Sequence, residues 1–135
     1  AQTALTGFAQ IVSGDVRKLL LPEVDTVILL DVLLYLQAQE QVDLLAKITD
    51  SLSMNGLILI READANNGLR FKLTTWTEKF CAFSRGHWHQ TYQYRSKQAW
   101  QDLLETMNFK VTTLPMSCGT PFDNILFIAR RVNSD

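Results

Sequence analysis

The stretch Val24-Asp25-Thr26-Val27-Ile28-Leu29-Leu30-Asp31-Val32-Leu33-Leu34-Tyr35-Leu36 decides the fold. Val24 to Leu30 is an apolar run without alternation, which predicts a strand buried on both faces, as in a parallel sheet. Asp31 closes the run where the strand meets a loop. Ten of the thirteen residues are apolar. With Asp25 and Asp31 inside it, the stretch is too short and too interrupted to span a bilayer.

Working outward, Gln39 to Leu52 predicts an amphipathic helix, with Leu45, Ile48 and Leu52 on one face, supported by Val42 and Leu44. Asn55-Gly56 supplies turn chemistry. Leu57 to Ile60 predicts a second buried strand, running into the charged end Arg61-Glu62-Ala63-Asp64. Towards the start, Gln10 to Val12 reads as a short strand that stops at Ser13-Gly14. Asp15 to Leu21 reads as a loop or helical turn stopped by Pro22. Further on, Ser96 is an N-cap candidate ahead of Trp100, Leu103, Leu104 and Met107, which recur at helical spacing. Asn108 suits a left-handed stop. Phe109, Val111 and Thr113 alternate as a strand, and Asn124 to Ala129 is a last apolar strand. With no helix between them, these two strands should pair antiparallel. The sum is one α/β domain over residues 1–135 with a mixed sheet.

Composition excludes several classes. The chain is 47% hydrophobic and 20% charged, so it is not disordered. Thirteen basic residues against fourteen acidic ones, with no basic stripe, give nucleic-acid binding no support. Cys81 and Cys118 are too few for a disulfide scaffold and read as small apolar residues of a reduced, cytoplasmic protein. No signal peptide is evident. Ala1 at the start fits a processed chain or a piece of a longer one.

In order, Gly14-Asp15-Val16, the stretch Asp25 to Leu36, the turn Leu52-Ser53-Met54-Asn55-Gly56 before Leu57 to Ile60, and the final strand pair resemble the C-terminal part of a class I S-adenosylmethionine-dependent methyltransferase. The resemblance covers nearly the whole chain. It implies a partial Rossmann-like sheet, mostly parallel with an antiparallel C-terminal pair, and S-adenosylmethionine as cofactor. Gly14, Asp15, Val16, Asp31 and Val32 stand where that family holds it. Asp15 would accept from the adenine amine while the Val16 amide meets a ring nitrogen; a plain turn aspartate is the alternative. The family's glycine-rich loop and its ribose-binding acid have no counterpart here. The chain alone is therefore expected to bind the cofactor no tighter than roughly millimolar, about −4 kcal/mol.

On the acceptor side, Tyr35, Glu62, Trp88 and Tyr92 are the substrate-binding candidates. A small molecule suits these aromatics. Ordinary packing accounts equally for Leu34 and Tyr35, a helix N-cap for Asp31, and a solvated rim for Arg61, Glu62 and Asp64. The stretch Arg85 to Arg95 holds both histidines. In the resembling family this region forms part of the substrate lid, and His87 or His89 there would serve as general base. The alternative is a surface loop with packed aromatics. His87-x-His89 lacks a third ligand of matching spacing, so no metal site is assigned. A non-catalytic, methyltransferase-like interaction domain is the competing function. In the resembling fold, the strand missing here lies beside Val24 to Leu30. The apolar edge at Val27 to Leu30 is thus expected to be covered by a partner chain, as in a homodimer, or by the N-terminal segment.

Overall fold

Helix α1, Ala38–Ser51, forms where the apolar positions predict it. Glu40 receives the Gln37 N–H at 2.8 Å and closes the first turn. Its buried stripe is Gln41, Leu44, Leu45 and Ile48. The computed structural model describes residues 9–64, 93–116, 118 and 124–132. Within them, strand β1 is Val24–Leu30 and strand β2 is Leu52–Ala63. Helix α2 is Lys97–Thr106, followed by strands β3, Phe109–Pro115, and β4, Asn124–Arg131.

The sheet order is β1-β2-β4-β3. β1 runs parallel to β2, and β4 runs antiparallel to both β2 and β3. The α/β architecture with an antiparallel final pair is thus as expected. The register places Val27 beside Ile58 and Leu29 beside Ile60, with Ile60 facing Phe127 on β4. These residues belong to one core with Leu45 and Ile48 of α1 and Trp100 and Leu104 of α2. Each helix therefore buries its apolar stripe on the same side of the sheet, which is where most of the burial energy lies.

Between the pairs Val24–Leu52 and Thr26–Leu57 the register shifts, so β2 carries a bulge over Ser53 to Gly56. The turn expected there is absorbed into the strand. Gly56 is required by space: a Cβ would lie 2.9 Å from the Leu52 side chain and from the Ser53 carbonyl oxygen. Asn108 has φ 63° and ends α2 in the left-handed region.

Three expectations need correction. Gln10 to Val12 is not a strand; it is exposed and, among the described residues, pairs with nothing in the sheet. Three residues flanked by Ser13-Gly14 have too few ladder bonds to hold themselves. β1 is not buried on both faces. Among the described residues it is the edge strand, without the neighbours a central strand has: Ile28 is 58% and Leu30 50% exposed. Cys118 is exposed rather than packed. Cys81 lies outside the described residues.

Candidate functional site at the carboxyl edge of the sheet

β1 and β2 are parallel, so both point their carboxyl ends at one edge, where open α/β sheets bind ligands. Asp31, Arg61, Glu62 and Asp64 gather there. Asp31 adopts φ 55°, a conformation that Asp tolerates better than most residues. Its N–H donates to the Arg61 carbonyl at 3.1 Å, continuing the β1–β2 ladder one step. Its carboxylate forms an ion pair with the Arg61 guanidinium. That hydrogen bond holds the Arg61 pKa above its ordinary value. Both side chains are partly open to solvent, so the pair is worth little stability.

Glu62 points to the other side of β2 and is only 2% exposed. Its Oε1 accepts the Leu33 N–H at 3.0 Å, from the 3-10 turn Leu33–Tyr35 that follows β1. A buried carboxylate needs such donors. Asp64, also buried, accepts the Lys97 N–H at 3.1 Å, at the start of α2. An acid at a helix N-terminus meets unpaired N–H groups and the positive end of the dipole. Ser96 adds the expected cap, its Oγ accepting from Ala99 N–H at 3.2 Å. Val32 flanks the turn, and Tyr35 is 50% exposed upon it.

A second cluster lies ahead of β1. The Asp15 carbonyl accepts from Lys18 and Leu19, closing a turn. Arg17 grips the Asp15 carboxylate through its backbone N–H, Nε and Nη2, and reaches Glu40 with Nη1 at 2.5 Å. The side-chain hydrogen bonds from Arg17 pull the Asp15 pKa down to about 2. Glu40 is lowered as well, first by the Gln37 N–H and then by Arg17. Lys47 ties the Arg17 carbonyl to α1 at 3.2 Å. Among the described residues, the Val16 N–H donates no hydrogen bond. An acid beside an unpaired N–H fits the edge of an adenine ring. The amine would replace one of Arg17's contacts, since these already fill the carboxylate's roughly four acceptor directions.

The structure thus brings Asp31, Val32, Tyr35 and Glu62 together. It places Gly14, Asp15 and Val16 on a separate loop pinned to α1. His87, His89, Trp88 and Tyr92 lie outside the described residues. Gln41 and Arg95 were not foreseen. Gln41 falls at i, i+3, i+4 and i+7 with Leu44, Leu45 and Ile48, and a polar residue inside an apolar stripe was the available signal. A cavity of about 190 Å³ lies beside β1, lined by Val16, Leu21, Val24, Val27, Leu44 and Ile48 among others. None of Asp15, Asp31 or Glu62 lines it. No cluster of three potential metal ligands occurs among the described residues. Nor is any helix among them long and apolar enough to cross a membrane.

The family model for the O-methyltransferase domain matches residues 2–110. No curated protein matches the chain. Human N-acetylserotonin methyltransferase, solved in complex with SAM, is similar at 22% identity and TM-score 0.67, over 97% of this chain and 37% of that one. Magnesium protoporphyrin IX methyltransferase from Synechocystis PCC 6803, with bound SAH, is similar at 17% identity and TM-score 0.67, over 97% and 57%. An O-methyltransferase from neocarzinostatin biosynthesis, in complex with SAH and 1,4-dihydroxy-2-naphthoic acid, is similar at 20% identity and TM-score 0.65, over 94% and 35%. The chain spans about a third to just over half the length of these structures.

Proposed function

This chain belongs to the O-methyltransferase domain family, and on that premise we propose that it forms the carboxyl-edge part of an S-adenosylmethionine-dependent methyltransferase acting on a hydroxyl of a small molecule. The observation that carries the reading is the buried Glu62 carboxylate, held by the Leu33 N–H at the sheet edge where Asp31 and Tyr35 also stand. The cofactor supplies a methyl group activated on a sulfonium sulfur. The acceptor oxygen forms the new C–O bond as the C–S bond breaks, leaving S-adenosylhomocysteine, and the hydroxyl proton passes to a base. The protein's part is position and desolvation.

In this reading Gly14, Asp15 and Val16 hold the adenine, with the unpaired Val16 N–H meeting a ring nitrogen. Asp31 and Val32 flank the cofactor at the end of β1. Tyr35, Glu62, Trp88 and Tyr92 line the acceptor side, and His87 or His89 takes the proton. The naphthoic acid carried by one neighbour supports a hydroxylated aromatic acceptor. Residues 1–135 act as one cytoplasmic methyltransferase-like domain within a longer protein. The open side of β1, with Ile28 and Leu30 exposed, is covered by a second copy in a homodimer. A monomer in light scattering would exclude that arrangement.

A non-catalytic interaction domain is the second reading. It is favoured by one observation, that Arg17 already occupies the Asp15 carboxylate. The deciding experiment uses the longer protein that contains this sequence, with labelled S-adenosylmethionine and a panel of hydroxylated aromatics. Methyl transfer that falls by about 100-fold when His87 and His89 are both changed to Ala, the low end of a general acid–base contribution, with cofactor binding kept, supports the enzyme. No transfer to any acceptor, with no cofactor binding, supports the interaction domain.

A further inference from the structure

We propose that Gln41 is a positioning residue whose side-chain amide locks the turn after β1 to the chain entering α2, and so fixes the wall on which Tyr35 and Glu62 stand. The assignment rests on the reading of the carboxyl edge as the methyl-transfer site.

Gln41 is 0% exposed on α1. Its Nε2 donates to the Leu33 carbonyl at 3.0 Å, the Leu36 carbonyl at 3.3 Å and the Gln93 carbonyl at 3.1 Å. Two hydrogens serve three acceptors, so one of them is shared. Its Oε1 accepts from Arg95 Nε at 2.7 Å. The orientation is settled by chemistry: a flipped amide would set its oxygen against three carbonyls and its NH₂ against a guanidinium. Arg95 is held in turn by the Ala38 carbonyl at 3.2 Å and by the Trp100 ring, 5.4 Å from its centroid. The Gln93 N–H donates back to the Leu34 carbonyl at 2.9 Å, so turn and incoming chain are stitched from both sides.

The link to the site is Leu33. Its carbonyl accepts from both Gln41 Nε2 and the Leu36 N–H, while its own N–H goes to Glu62. Moving Gln41 therefore moves the donor that holds the Glu62 carboxylate. A residue that only filled space would leave that donor alone.

The test is amide hydrogen exchange and carboxyl ¹³C spectroscopy on the 135-residue chain, comparing the parent with Gln41→Met, Gln41→Glu and Arg95→Lys. Gln41→Met keeps the volume and removes every polar contact. Exchange at the Leu33, Leu36 and Gln93 N–H groups should quicken by about tenfold, the factor for ~1.4 kcal/mol of local opening. The Glu62 carboxyl signal should move, and Ile58 and Ile60 should exchange as before. Gln41→Glu keeps the acceptor for Arg95 and loses the donors, so it should act like Gln41→Met at Gln93. Arg95→Lys should move the Gln93 amide and the Glu62 carboxyl in the same direction by less, and it reads the same contact where Gln41→Met does not fold. Equal quickening at Ile58 and Ile60, or an unmoved Glu62 signal in every folded variant, overturns the assignment. These readouts need neither cofactor nor acceptor, so they fail separately from the methyl-transfer reading.

Discussion

The two ends of the parallel pair β1 and β2 are built on opposite principles. At the amino end, where the strands begin, polar groups serve the fold alone. Arg131 Nη1 donates to the Thr49 and Leu52 carbonyls at 3.2 and 2.8 Å, satisfying the last turn of α1. The apolar cavity beside β1 runs from Val24 to Leu29 and holds none of these polar groups. At the carboxyl end acids gather, and two of them, Glu62 and Asp64, are buried against backbone N–H groups. Asp31 holds Arg61 in partly open solvent. A fold that only had to be stable would fill that end with apolar side chains, because buried ionic groups rarely beat them. That difference is the reason we propose the carboxyl end as the site.

That contrast is breakable in stages. The largest effect belongs to the shared core. Trp100→Ala should cost about 3–5 kcal/mol of stability in urea unfolding, since the ring is buried and carries Arg95 on its face. A loss below about 1 kcal/mol would mean that α2 is not docked as described. Next come the two ends themselves. Arg131→Ala strands two helix-terminal carbonyls and should cost about 1–3 kcal/mol, without touching the response to ligand. Asp31→Asn keeps a residue that accepts φ 55° and breaks a half-open ion pair, so it should cost under about 1 kcal/mol. Methyl transfer by the longer protein should nonetheless fall in Asp31→Asn. The reverse pattern would erase the distinction between the ends.

The smallest effect is local. The Asp15 carboxyl titrates at about 2 because of Arg17, against an ordinary 3.8. A lowered carboxyl pKa stabilises the folded state above the ordinary value, and that contribution is lost as pH falls through the folded one. In Arg17→Ala the ¹³C titration midpoint of Asp15 should rise towards 3.8. A midpoint still near about 2 would show that another group holds the acid.

Legibility in the sequence followed the same division. β1 has the predicted bounds, and α1 is displaced by one residue at each end. Apolar periodicity reports burial, which α1 has; β1 is marked by its non-alternating apolar run, although only Leu29 of it is buried. The exposure of Ile28 and Leu30 was not legible, because an apolar run looks the same at an edge as in the centre; only strand order tells them apart. Gln10 to Val12 misled because a short β-prone run needs a partner strand that sequence does not supply. In the site, Asp31, Arg61, Glu62 and Asp64 could be placed at one edge from the ends of the strands. Their partners could not. The Asp31–Arg61 pair depends on the β1–β2 register, which sets Leu30 beside Arg61. The Gln41–Arg95 contact joins residues 54 positions apart.

The central proposal is the placement of the cofactor at the carboxyl edge of β1 and β2. It is tested most directly by titrating S-adenosylhomocysteine into the ¹⁵N-labelled chain, up to several times the roughly millimolar dissociation constant expected for it. The account predicts fast-exchange shifts largest at Val16, Asp31, Val32 and Leu33, with Leu52, Phe109 and Arg131 unmoved. Shifts centred on the amino end, or none at any concentration reached, would contradict it.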